Sequence, residues 1–253
     1  MNGKLAIAER IPHHAQKQLI PILKARIDKL SSGLDVSMKL GISANSFISC
    51  EVEGSDSEFF IELIRRGMRL APQNLSDIEI HDNFKAFVSG INTKRQSIVV
   101  EIGSVSANVK SEITSEALRA QLCDGKSIPV DRVAQTFCVQ EDTPIPVRIT
   151  SIDPERLQIK AWISDDQIAR FEQWRRERTH RIIAVGGSQD RLRDAIRLSK
   201  TERDIIQIEE LSFTTTSLVC KLGTDAPGVI ARIGRFLSEF KLYAFLPEKV
   251  DKL

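Results

Sequence analysis

The sequence predicts an α+β chain in which two split βαβ modules flank a small closed β-barrel carrying a helical insertion. Three observations predict it. At each end of the chain, apolar periodicity runs strand, helix, strand, strand, helix, strand. Between those stretches, five short strand-like runs are interrupted once by two helical patches, the pattern of a small Greek-key barrel. The 253 residues are 42% hydrophobic and 28% charged. That composition supplies a core and excludes a disordered chain, and no apolar run reaches the ~18–20 residues of a membrane span.

The N-terminal module, residues 1–81, opens with a strand over Lys4–Ile11 that Pro12 ends. Leu19, Ile20, Leu23, Ile27 and Leu30 then recur at helical spacing. Pro21 falls inside that pattern, so it marks a helix start near residue 20 or a kink. Ser31-Ser32-Gly33 stops the helix, and Leu34–Gly41 and Asn45–Glu53 read as two strands. Asp56 or Ser57 caps a second helix with Phe59, Phe60, Leu63, Ile64 and Met68 on its apolar face. Ser76–Ile80 is expected to close the sheet. This order is that of a ferredoxin-like module, whose helix-free sheet face must be wet or covered. Phe47 is its one candidate for aromatic base contact.

The barrel spans residues 82–164. Its expected strands are Asn83–Gly90, Ser97–Gly103, Ala107–Lys110, Ile145–Ile152 and Gln158–Ile163. Thr93-Lys94-Arg95 is a polar tip and Asp153-Pro154-Glu155-Arg156 a compact turn. The insertion, about 115–138, carries helical patches at Ser115–Leu122 and from Pro129 to Phe137. On the first strand Phe84, Ala86 and Val88 form an inward set. Phe87, between polar Lys85 and Ser89, is either an outer-face residue or packs under the insertion.

Residues 165–180 form a basic linker helix capped by Ser164 or Asp165. It carries Ile168, Phe171 and Trp174 on a stripe, with Arg170, Arg175, Arg176 and Arg178 around it. Net charge is +2 for the chain but uneven: −1 over residues 1–83, −1 over 84–168 and +4 over 169–253. Residues 170–203 alone hold 10 basic and 5 acidic side chains. Arginine forks match phosphate geometry, so any polyanion contact is favoured here. The alternative is a solvated helix whose arginines pair with Glu172, Glu177 and other carboxylates. Trp174 is either a stacking residue beside Arg175 and Arg178 or an anchor of the helix.

The second split βαβ module, residues 181–253, has strands Arg181–Val185, Ile205–Phe213, Ser217–Leu222 and Lys241–Leu246. A helix over Gln189–Ser199 follows the first strand. A second, opened by Asp225-Ala226-Pro227-Gly228, presents Val229, Ile230, Ile233, Phe236 and Leu237. Gly186-Gly187-Ser188 lacks the spacing of a nucleotide loop and reads as a tight turn.

Catalytic signatures are missing. His13, His14, His81 and His180 form no HExxH, and no GxSxG is present. His81, His180 and a distant carboxylate are the one set from which a metal site could assemble. Cys50, Cys123, Cys138 and Cys220 form no CxxC and suit buried free thiols in a reducing cytoplasm. Neither an enzyme, a cofactor nor a bound metal is expected.

Two resemblances add to this reading. Phe84-Lys85-Ala86-Phe87-Val88-Ser89-Gly90-Ile91, Ile98-Val99-Val100-Glu101-Ile102-Gly103 and Val109-Lys110-Ser111-Glu112-Ile113 resemble the S1-type RNA-binding barrel, an OB fold. The resemblance implies contact with single-stranded RNA across the barrel face. It puts Lys85 and Phe87 on strand one, Val99 and Glu101 on strand two, and Arg148 and Lys160 on later strands. The usual second-strand aromatic is replaced by Val99 or Val100, and Asn108 and Lys110 stand where a histidine is common. Over nearly its full length the chain also resembles an archaeal family of uncharacterised proteins, a domain of unknown function. The segments are Leu118-Arg119-Ala120-Gln121-Leu122-Cys123-Asp124-Gly125-Lys126, Thr201-Glu202-Arg203-Asp204-Ile205-Ile206, Cys220 to Ile230 and Tyr243-Ala244-Phe245-Leu246-Pro247. It implies a cytoplasmic archaeal protein and supplies no catalytic residues. Asp225-Ala226-Pro227-Gly228-Val229 also resembles the helix entry of amino-acid-sensing modules, which implies a small effector.

The leading expectation is a non-enzymatic RNA-binding or ribosome- or transcription-associated accessory protein. Its contacts would be Lys85, Phe87, Lys94, Arg95, Arg148, Lys160, Arg175, Arg176 and Arg178. The expected partner is single-stranded or structured RNA or a ribonucleoprotein, with no membrane. The alternatives are a protein-interaction scaffold or homodimer built on a degenerate barrel, and an effector-binding regulator using the last module.

Overall fold

A computed structural model describes residues 3–103 and 109–253. The N-terminal module comprises β1 (Gly3–Arg10), α1 (Gln16–Leu30), β2 (Ser37–Ile42), β3 (Phe47–Glu53), α2 (Ser57–Met68) and β4 (Leu70–Ala71). Its antiparallel sheet has the order β2-β3-β1-β4, that of a ferredoxin-like module. Alternation along the strands divides the side chains. Leu5, Ile7, Ile48 and Val52 pack with Leu19, Leu23, Phe60 and Ile64 of the helices. Ala6, Ala8 and Phe47 face the other way, with Ala71, and meet Phe87.

Two expectations change. The fourth strand is at 70–71, not 76–80. The Asp77 carboxylate accepts the Gln73 and Asn74 amides at 3.0 and 2.9 Å, drawing the chain into a 3₁₀ turn over Leu75–Asp77. Helix α1 starts at Gln16, so Pro21 lies inside it. Pro21 is exposed, where water can satisfy the carbonyl its missing N–H leaves free.

The centre is a closed five-stranded barrel of order β5-β6-β7-β9-β8. Its elements are β5 (Asn83–Asn92), β6 (Ser97–Glu101), β7 (Lys110–Ile113), α3 (Ser115–Leu122), α4 (Val130–Thr136), β8 (Pro144–Asp153) and β9 (Gln158–Ile163). β5 pairs with both β6 and β8, β7 and β9 run parallel, and both helices lie between the third and fourth strands. This is OB-type connectivity. Every second residue of β8 and β9 points inward, so Ile145, Val147, Ile149, Ile159, Ala161 and Ile163 are fully buried. The third strand is Lys110–Ile113 instead of Ala107–Lys110; residues 104–108 of that expectation lie outside the described residues.

Helix α5 (Asp165–Glu177) starts at Ser164, whose side chain accepts the Gln167 amide. The last module follows: β10 (Arg181–Val185), α6 (Gln189–Leu198), β11 (Ile205–Ser212), β12 (Thr215–Cys220), α7 (Ala226–Ile233), β13 (Lys241–Phe245) and a short α8 (Pro247–Val250). Its sheet order, β11-β12-β10-β13, repeats that of the first module. Ile182, Ala184 and Leu218 pack under α6 and α7. On the opposite face Ile183, Val185 and Phe245 join Phe137, Phe171 and Trp174 in the core shared with the barrel. Both ferredoxin-like sheets therefore hide their helix-free face against the middle of the molecule.

Adjacent residues of β1 fasten the parts together. Lys85 Nζ lies 2.5 Å from Glu9 Oε1, and the Phe213 amide donates to Glu9 Oε2 at 3.1 Å. Arg10 donates to Asp142 at 2.8 Å, and Lys241 reaches Glu141 and Asp142 at 2.8 and 3.2 Å.

Candidate nucleic-acid interface

The expected cations do not gather in one groove. Lys85 is committed to Glu9, with only 15% of its side chain exposed. Phe87 does occupy the outer face of β5, but it is fully buried, edge-on to Phe47 at 5.7 Å between ring centroids. The N-terminal sheet covers it, so neither Phe87 nor Phe47 can stack on a base. Arg175 and Arg178 both bind Asp251, the former at 2.7 Å. They hold that carboxyl below its usual range through hydrogen bonds, Arg178 contributing most. Arg176 is exposed on α5, with no ion pair among the described residues. Trp174 is a core anchor: it packs on Phe171 and Phe245, and buried Arg181 lies over its ring at 4.8 Å.

What stays open to solvent is the outer face of β7, β9 and β8. Inward Ile159, Ala161 and Ile163 force Gln158, Lys160 and Trp162 outward on β9. Trp162 is 37% exposed. Register sets Arg148 directly opposite it on β8, where paired side chains start ~4.5–5.5 Å apart. Lys160 stands on the same face two residues along β9, opposite Glu112 of β7. An aromatic surface is thus flanked by two cations. Arg148 donates to Asp165 at 3.0 Å, but Asp165 is 78% exposed, and such surface pairs contribute about 0–1 kcal/mol. Among the described residues, Lys160 and Lys110 have no ion pair, and Glu112 is occupied by Ser97 and Gln158 at 2.9 Å each.

The two connecting loops bracket this face. The Lys110 amide donates to Leu157 at 2.8 Å, which seats the β8–β9 turn and Arg156 beside the start of β7. At the other end, Asn92 pairs with Ser97 and Ile98 with Ile113, placing the exposed Lys94–Arg95 turn beside the end of β7. OB barrels bind oligonucleotides with their second and third strands and these two loops; the open face here shares the loops and the third strand, β7, while Arg148 and Trp162 stand on the fourth and fifth strands.

Lys94, Arg95, Arg148 and Lys160 are therefore the expected residues that share the open barrel face. Trp162 escaped the sequence reading. The signal was present: strict alternation over β9 makes it a large aromatic on a polar stripe.

Elsewhere the expected turns are structural. Gly187 abuts the Phe240 ring so closely that a Cβ there would lie 2.1 Å from it, which leaves no phosphate cradle. Asp225 accepts the Gly228 amide at 2.8 Å as the cap of α7, and the surrounding turn is largely exposed. His180 accepts the Ala226 amide at 3.2 Å and lies 3.3 Å from Glu248. Among the described residues, no group of three or more His, Cys, Asp or Glu could hold a metal ion. No helix there is long and apolar enough to cross a membrane.

Residues 179–243 match the model of the DUF2110 C-terminal domain. No curated protein matches the chain. Among solved structures, an uncharacterized protein of Methanocaldococcus jannaschii aligns at TM-score 0.25 and 13% identity, over 35% of this chain and 96% of its own. A chain in an a/eIF2alpha–aDim2p–rRNA complex from Pyrococcus horikoshii aligns at TM-score 0.27 and 11% identity, over 49% of this chain and 62% of its own.

Proposed function

We propose that the protein is a non-enzymatic RNA-binding accessory protein that holds single-stranded RNA across the outer face of its barrel. The observation that carries this reading is the exposed Trp162 ring set opposite Arg148 and two residues from Lys160 on an OB-type barrel. A base stacked on Trp162 contributes ~1–3 kcal/mol, and the flanking cations take up phosphate. Lys94 and Arg95 at one end and Lys110 and Arg156 at the other extend the track along the strand.

The test is the affinity for a labelled single-stranded RNA of mixed sequence. Trp162→Ala is expected to weaken binding by roughly five- to a hundredfold. Arg148→Ala with Lys160→Ala should weaken it similarly for all sequences and flatten the salt dependence by nearly two charges. In a Trp174→Phe background, RNA should quench the remaining Trp162 fluorescence. Full affinity after both replacements would remove the barrel face as the site.

A further inference from the structure

We infer a second, separate binding site: a cleft between the N-terminal module, the barrel and the C-terminal sheet that takes a small organic oxyanion with a flat apolar body. The cavity measures about 260 Å³, just under the ~300–1,000 Å³ of drug-sized ligand sites. That suits a compound of one or two rings.

Its walls come from segments far apart in sequence. Met68 closes α2, Phe137 and Val139 follow α4, Phe171 and Trp174 lie on α5, and Ile183 and Leu211 belong to the last sheet. This lining mixes aromatic and aliphatic side chains, held in place by the core, with a larger share of polar surface. A small flat ring can rest on its apolar part.

The polar groups define the ligand's charge. Glu9 and Lys85 line the cleft but neutralise one another. Arg69 and Arg170 are exposed and line it too. Neither has an ion pair among the described residues; Arg170 donates only to the neutral Gln167 amide, at 3.2 Å. Arg69 is held in place by its backbone, for its carbonyl accepts the Ala8 amide at 3.1 Å. Two arginines without an ion pair among the described residues therefore border the cleft, and its one carboxylate, that of Glu9, is taken by Lys85. Guanidinium forks select carboxylate, phosphate or sulfonate oxygens over cations and neutral groups.

The site is independent of the RNA reading: its two arginines are not among the barrel-face residues. The probe is naphthalene-1-sulfonate, a flat two-ring sulfonate, with 1-naphthylamine, uncharged at neutral pH, as its control. The intact chain is expected to bind the sulfonate saturably at one site. Arg69→Ala with Arg170→Ala should weaken the sulfonate roughly tenfold or more and leave the neutral amine within twofold. Gly67 lines the cleft on α2, and a Cβ there meets nothing within 4 Å, so Gly67→Trp adds bulk at the rim of the cleft without a clash at the backbone. That variant should abolish both probes while keeping the native circular dichroism spectrum. Sulfonate binding that survives the double arginine replacement overturns the proposal, as does equal loss of both probes. Added benzoate and adenosine 5′-monophosphate then report by competition whether a carboxylate or a phosphate is the preferred oxyanion.

Discussion

Glu9 on β1 and Lys85 on β5 form an ion pair at 2.5 Å in which the two side chains are only 9% and 15% exposed. Burial lifts the Glu9 carboxyl above its ordinary range, and the Lys85 charge opposes that lift without cancelling it. An isolated charge left at this depth is far more costly than the pair. Lys85→Met is therefore expected to destabilise the fold by about 3–5 kcal/mol, and Glu9→Gln with Lys85→Met by much less. Urea unfolding of the three proteins checks this.

The same carboxyl gives a pH signature. Its folded-state pKa is raised, so the native chain holds this proton more tightly than the unfolded one. The stability it contributes is full below the unfolded value of about 4.5 and is lost as pH rises through the folded value. Relative to the parent, Glu9→Gln should gain stability as pH is raised from 4 to 7. A parallel pair of stability curves would show that Glu9 titrates as it does in the unfolded chain.

Phe87 packs edge-on against Phe47 where sheet meets barrel. Phe87→Ala removes a fully buried ring and should cost about 3–5 kcal/mol in chemical denaturation. RNA affinity of the folded fraction should stay unchanged, because the ring is covered. A selective loss of RNA binding without loss of stability would contradict its burial.

Two of the linker arginines, Arg175 and Arg178, are committed to Asp251. Hydrogen bonds from Arg178 and Arg175 hold Asp251 low, so its contribution is present above about pH 3.8 and lost as pH falls through the lowered value. Asp251→Asn should loosen α8 at neutral pH and converge with the parent in acid, as hydrogen exchange near residue 250 can report. Replacing Arg175, Arg176 and Arg178 together by alanine should leave RNA affinity within about twofold, against the larger loss at Arg148 and Lys160.

All four cysteines are buried and unpaired. Burial pushes the Cys50 and Cys220 thiols up to about 11 and Cys138 to about 12, and Cys123 also rises. The thiolate is the reactive form. Native protein at pH 8 should resist iodoacetamide and release four reactive thiols only on unfolding, as mass spectrometry would show. Rapid labelling of native Cys138 would exclude this packing.

Much of the architecture lies in periodicity, which is local. Period-two runs and helical spacing located nearly every strand and helix of the two modules and the barrel; β10, β11 and β13 fall close to their expected ranges, while β12 starts two residues early, at Thr215, and is buried throughout. The misses were local competitions. Side-chain capping by Asp77 outweighed strand propensity at 76–80, and a two-residue β4 is too short to carry a pattern. Alternation can also set Lys160 and Trp162 on one outer face, since a strand must send every second side chain away from the core, although only Lys160 is among the expected contacts. It could not show what covers a face. Whether Phe87 meets water, whether Lys85 and Arg175 are free, and whether Glu9, Arg69 and Arg170 border one cleft depend on how separate sheets dock. Those outcomes rest on contacts between residues up to two hundred positions apart, such as Glu9 with Phe213. No spacing within the chain encodes such contacts; packing the two bare sheet faces against the middle of the molecule creates them.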